Sequence, residues 1–266
     1  MQRPAAQKPA AARKQKNSQQ CGILSILLIL FGIIGIVVCI FIYLSRQVVY
    51  KTAQNEYANL QSMYLSEDME GLSAPDFSEE NPGLIPPQLD LSALQDLNAD
   101  CTGWIEISGT NISYPVVQSL DNEYYLTHTF NRLQNKAGSI FMDFRCAADF
   151  SDTHTILFGH NMQDGSMLSG LGQYRNRAFL ETNSDIYIHL QDKILVYRIL
   201  LTKQIPHDDM IFSMLSSVNS EEAIRKFFTE QLEQVVDYDE NAKYLTLSTC
   251  TDNGDNNVRD IVIAVR

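Results

Sequence analysis

Between residues 22 and 44 the chain reads GILSILLILFGIIGIVVCIFIYL, 23 residues without a charge. At about 1.5 Å of rise per residue such a helix is about 35 Å long, against a hydrocarbon layer of about 30 Å, so it can cross a bilayer with modest tilt. A buried helix of a soluble protein and a cleaved export signal are the rival readings. The run is longer than the roughly 7 to 15 residues of a signal's apolar core, and no small-x-small cleavage site follows it. It is therefore expected to stay in place as an anchor.

The charges on either side assign an orientation. Arg3, Lys8, Arg13, Lys14 and Lys16 precede the run, while Arg46 and Lys51 alone follow it closely. That excess places residues 1–21 in the cytosol as a basic tail and the remainder outside the cell. Beyond residue 46 the chain carries 14 of the 20 bases and all 32 acids, so the exported part is strongly acidic. Such a balance argues against a nucleic-acid partner held through its phosphates. Of the five cysteines, Cys101, Cys146 and Cys250 lie in the exported part. Three is an odd number, so at least one thiol stays free or pairs between chains, and a domain of this size does not need disulfide staples. Whether Cys101 and Cys146 approach each other is open.

Residues 45–100 read as an acidic helical stalk. Ten Asp or Glu face the single base Lys51 between residues 48 and 100, and Pro75, Pro82, Pro86 and Pro87 interrupt the pattern. Tyr50, Tyr57, Leu60, Met63 and Tyr64 recur at helical spacing, which predicts an amphipathic helix leaving the membrane. A second short helix is predicted over residues 91–97, capped by Asp90 or Ser92.

From Cys101 onward, short runs rich in Val, Ile, Tyr and Phe alternate with Gly, Asn and Asp, the pattern of a mainly β domain over residues 101–266. Eight strands are predicted, starting near 103, 112, 138, 154, 185, 193, 243 and 260. Two helical insertions interrupt them, a short one around 167–174 and a longer one around 221–235. In the longer one Ala223, Phe227 and Leu232 with Ile224, Phe228 and Val235 form an apolar face for packing on the sheet.

Cys250 closes the strand-like run LTLSTC, before the turn-forming stretch TDNGDNN and the next strand, which begins near Arg259. Taken alone, a free cysteine is more often a small buried core residue. Pairing of the two runs as a hairpin would bring Arg259 close to Cys250, and a guanidinium beside sulfur favours the reactive thiolate. His160 ends the run TILFGH and also sits where a strand gives way to a loop, and its imidazole can exchange protons near neutral pH. His128, His154, His189 and His207 read as surface or satisfied core residues. Metal binding is not expected, because no pair of His or Cys has the close spacing of zinc ligands.

Together, TLSTC at 246–250, Arg259 nine residues on, and LFGHNM at 157–162 resemble the active site of the sortase family. GWIEISGTNISYPVVQ from 103, DNEYYLTH from 121 and GSIFMD from 138 are similar to the same family, so the likeness covers about residues 100–266. The acidic helical segment before the first strand and the helix before the cysteine strand resemble class B in particular. Thr251 and Asp252 differ from that class, where an acidic residue and then an aromatic one are expected.

The resemblance implies an eight-stranded β-barrel with an N-terminal helical extension and no cofactor. It implies that Cys250 is the nucleophile, that His160 protonates the leaving amine and deprotonates the incoming one, and that Arg259 stabilises the oxyanion or holds the substrate carbonyl. Ser113, Val117, Phe158, Ser248 and Thr251 would line the peptide groove, each with an alternative role in strand packing or turn polarity. The implied partners are secreted proteins with a C-terminal sorting motif, cleaved after its threonine, and an amine of a lipid-linked peptidoglycan precursor. In some relatives a pilin lysine is the acceptor. A hydrolytic cysteine peptidase would use the same residues, and an anchored binding domain with Cys250 buried is the non-enzymatic alternative.

Overall fold

The computed structural model describes residues 11–64, 89–232, 239–250 and 257–266. The chain divides into two units, residues 1–49 and 50–266. In the first, helix α1 (Ala11–Tyr64) carries the apolar run, whose side chains from Leu27 to Leu44 are exposed. Among the described residues this is the one helix long and apolar enough to cross a membrane.

In the second unit the runs rich in Val, Ile, Tyr and Phe fold as the sequence predicts, into eight strands. They are β1 (Cys101–Ile107), β2 (Ser113–Val117), β3 (Ile140–Met142), β4 (His154–Phe158), β5 (Asp185–His189), β6 (Ile194–Pro206), β7 (Tyr244–Cys250) and β8 (Val258–Val265). They close into a barrel in the order β1-β2-β3-β4-β7-β8-β6-β5. The pairs β2–β3 and β4–β7 are parallel and the others antiparallel. Closure leaves no free sheet edge to template association with another chain.

Alternation along β7 separates two packing regions. Leu245 and Leu247, with Val262 and Ala264 of β8, join the main core with Trp104, Ile188 and Tyr197. Tyr244, with Ile261 and Ile263, belongs to a second cluster on the other face, covered by helix α4 (Glu221–Gln231) through Ile224 and Phe228. Ser220 caps α4 by accepting from the Ala223 amide at 3.2 Å. Val235, the last residue of the apolar face expected for this helix, lies outside the described residues.

Two helices precede the first strand among the described residues. Helix α2 (Leu91–Leu97) is capped by Asp90, whose carboxylate accepts from the Ala93 amide at 3.0 Å. In the last turns of α1, Ala53, Tyr57 and Leu60 are buried, but Met63 is exposed, since the helix turns that position away from the barrel. The prolines 75, 82, 86 and 87 lie outside the described residues. The short insertion is a 3-10 helix (Leu168–Arg175) rather than an α-helix, and α3 (Arg177–Thr182) follows it. Two more 3-10 turns, Tyr124–Leu126 and Met210–Ser213, were not expected from periodicity, because three or four residues carry no helical repeat.

Candidate active site

Two registers bring the predicted residues together. In the parallel pair β4–β7, Phe158 stands beside Ser248, and the Gly159 amide donates to the Ser248 carbonyl at 3.2 Å. Two residues further along each strand lie His160 and Cys250. The side-chain amide of Asn161 then donates to the Cys250 carbonyl at 3.1 Å, extending the junction past the end of β4. In the antiparallel pair β7–β8, Cys250 faces Arg259 directly. Cys250, Ser248, Thr246 and Tyr244 share one face of β7, so the thiol lies at the uncovered end of the face that α4 closes lower down.

His160 makes two contacts. Its Nε2 lies 2.6 Å from the Leu126 carbonyl, which can only accept, so this nitrogen carries a proton. The other contact is a side-chain interaction with Cys250. This interaction raises the imidazole pKa above its ordinary value against the effect of burial, and the Leu126 carbonyl adds to it. The thiol responds in the opposite sense. Its pKa is lowered first by His160, against partial burial, and then by the charge of Arg259.

An open cleft of about 720 Å³ lies in front of the pair, lined by Cys250 and His160 with Asn111, Asn161, Ser169 and Gln173. Its walls carry neutral amides and hydroxyls, which suit the main chain of a peptide. No cluster of three or more His, Cys, Asp or Glu suited to a metal occurs among the described residues.

Cys101 and Cys146 differ from Cys250. Both are free and buried, and burial pushes each thiol up to about 12. Their sulfurs contact the carbonyls of Gly103 and His154 respectively.

The expected groove residues are scattered. Phe158 is half-buried, stacks on Phe212 at 6.1 Å and shares the outer face with Ser248. Ser248 is 2% exposed, and its hydroxyl has no hydrogen-bond partner among the described residues. Val117 is 0% exposed within the main core, because its position on β2 points inward, and so it does not line the cleft. The Ser113 hydroxyl accepts from Trp104 Nε1 at 2.9 Å and donates to Glu106 at 3.2 Å, and Ser113 does not line the cleft in front of Cys250. Thr251 lies outside the described residues. Asn161 and Leu126 were not singled out from the sequence. Asn161 directly follows the histidine in LFGHNM, whereas Leu126 acts through a backbone carbonyl that no side-chain pattern reveals.

A family model described as a sortase domain matches residues 105–266. Sortase B of Listeria monocytogenes is 39% identical over 132 residues, 49% of this chain and 53% of that protein, so the chain spans about half the length of this relative. Sortase B of Staphylococcus aureus is 29% identical over 187 residues, 68% of this chain and 75% of that protein. The solved Staphylococcus aureus sortase B–substrate complex superposes with a TM-score of 0.65 and 25% identity, covering 81% of this chain and 96% of that one.

Proposed function

Because the chain belongs to the sortase family and is most similar to class B members, we propose that it is an anchored extracytoplasmic cysteine transpeptidase. In this reading residues 22–44 hold it in the membrane, residues 1–21 face the cytosol, residues 45–100 form the stalk and residues 101–266 do the chemistry. The observation that carries the reading is the double register of β7, with His160 beside Cys250 on one side and Arg259 on the other.

The Cys250 thiolate attacks the threonine carbonyl carbon of a sorting motif, forming a C–S bond and an oxyanion that the Arg259 guanidinium stabilises. As the C–N bond breaks, His160 gives its proton to the departing amine, leaving a thioester on Cys250. An amine of a cell-wall precursor then attacks the thioester and passes a proton to His160. Cys250 leaves as thiolate, and the substrate protein is joined to the acceptor through an amide. One hard exchange becomes two easier ones. Anchoring confines enzyme, exported substrate and lipid-linked acceptor to one surface, which raises their effective concentration.

The test is the fate of the acyl group. Purified full chain in detergent micelles is mixed with a library of sorting-type peptides, with and without a short glycine peptide as amine. The expected outcome is an acyl-enzyme on Cys250 seen by mass spectrometry, and product diverted from acid to amide when the amine is present. Product that never changes with amine would instead identify a hydrolytic peptidase. Turnover that survives Cys250→Ala would end the proposal altogether.

A further inference from the structure

Tyr57 is far from Cys250 in sequence and in chemistry, yet it is tied to the residue that holds His160. It lies in α1, is 5% exposed and packs edge-on against Tyr114 at 5.2 Å. Its hydroxyl donates to the Gly138 carbonyl at 2.7 Å, lies 3.1 Å from the Ser139 hydroxyl and accepts from the Phe130 amide at 3.3 Å. One hydroxyl therefore gathers both ends of the 130–139 loop.

That loop is the backing of the turn that touches His160. The Ser139 amide donates to the Tyr125 carbonyl at 3.0 Å, and the Asn135 amide to the Thr127 carbonyl at 2.8 Å. Gly138 has φ +59°, and a Cβ there would lie 2.5 Å from the Tyr125 carbonyl oxygen and 2.9 Å from that of Leu126. Gly138 thus faces the Leu126 carbonyl, which receives His160 Nε2, with no room for a side chain between them. We propose that Tyr57 is a positioning residue for His160: through Gly138 it braces the Tyr124–Leu126 turn, whose Leu126 carbonyl keeps Nε2 protonated and turns the other nitrogen toward Cys250. The proposal rests on the reading of Cys250 and His160 as the reactive pair. It makes the last turns of α1 part of the catalytic geometry rather than a passive spacer.

Two measurements on the full chain in micelles test it. The first needs no variant. Nitrogen NMR of protein labelled at histidine should find neutral His160 with its proton on Nε2; a proton on Nδ1 overturns the proposal. The second follows the rate at which iodoacetamide alkylates Cys250 as a function of pH, read by peptide mapping. In Tyr57→Phe the ring still packs but the brace is lost, so the curve should move to higher pH by about half a unit to one unit. The rate at pH 7 should then be about three- to tenfold lower. Gly138→Ala, which pushes on the Leu126 carbonyl from behind, should move the curve in the same direction. A folded Tyr57→Phe protein whose curve overlays the wild type, even with lower thermal stability, would assign Tyr57 a structural role only. The broader reading fails by a different result, turnover without Cys250.

Discussion

Cys250 and Arg259 are direct partners across the β7–β8 ladder, so their side chains leave the sheet on the same face. The guanidinium lowers the thiol pKa, though less than His160 does. In the proposed mechanism it also meets the negative charge building on the carbonyl attacked by that sulfur. These two roles can be separated. Arg259→Ala should move the alkylation curve of Cys250 to higher pH and reduce kcat/KM about 10²- to 10³-fold. Arg259→Lys keeps the charge but loses the forked donor, so it should restore much of the alkylation curve while turnover stays low. Parallel recovery of both quantities would argue against a directional donor.

Thiol chemistry should single out Cys250 among the cysteines of residues 101–266. Cys101 and Cys146 are buried with thiols pushed up to about 12, whereas the Cys250 thiol is lowered and half-exposed. Brief iodoacetamide treatment of native protein at pH 7.5, followed by peptide mapping, should label Cys250 and leave the other two unmodified. Labelling of all three at similar rates would show that the environment of Cys250 is not special.

Catalysis should have a bell-shaped pH profile. Cys250 must lose a proton, and its pKa lies below the ordinary thiol value. His160 must keep one, and its pKa lies above the ordinary imidazole value. Activity therefore rises with pH as the thiol ionises and falls again as the imidazolium is lost. Both limbs belong to the coupled pair rather than to either residue alone. A plot of kcat/KM against pH should peak near neutrality, between the two ordinary values of about 6.5 and 8.5. A profile that rises steadily to pH 10 would remove the imidazolium from the mechanism.

A different histidine should govern acid stability. His154 is fully buried, with Nδ1 2.7 Å from the Met214 carbonyl and Nε2 2.8 Å from the Thr246 hydroxyl. Burial lowers its pKa to about 4. The unfolded chain thus takes up a proton below about pH 6.5 while the folded chain stays neutral, so stability present above that pH is lost as pH falls toward 4. The loss is on the order of 3 kcal/mol. Urea unfolding followed by fluorescence of Trp104, the single tryptophan and fully buried, should show it between pH 7.5 and 4.5. His154→Asn should be less stable overall but lose less of that stability on acidification.

The strands were legible because runs rich in Val, Ile, Tyr and Phe, bounded by Gly, Asn and Asp, are a local property of the sequence. Convergence of Cys250 with Arg259 was also legible, since a hairpin needs only two neighbouring strands and a turn. Pairing of β4 with β7 was not, because no local rule sets a parallel register across 85 intervening residues from Gly159 to Lys243 (243 − 159 + 1). The likeness of LFGHNM to a known motif supplied His160 instead. Val117 shows the limit of such transfer: its side chain is enclosed by the core, and only coordinates reveal which way a strand residue points. Tyr57 was read as one member of an apolar stripe. Its hydroxyl, which makes the contacts to Gly138 and Ser139, is invisible to periodicity.

The parallel join between β4 and β7 also sets the timing of reactivity. Phe158 and Ser248 are 90 residues apart (248 − 158), a long-range contact of the kind that slows folding. A growing chain that lacks β7 and β8 carries His160 with no Cys250 beside it. When Cys250 first emerges, its guanidinium partner is still nine residues behind (259 − 250). On the proposed reading, the thiol is an ordinary one until β8 pairs with β7, and the group of residues it needs is complete only when the barrel closes.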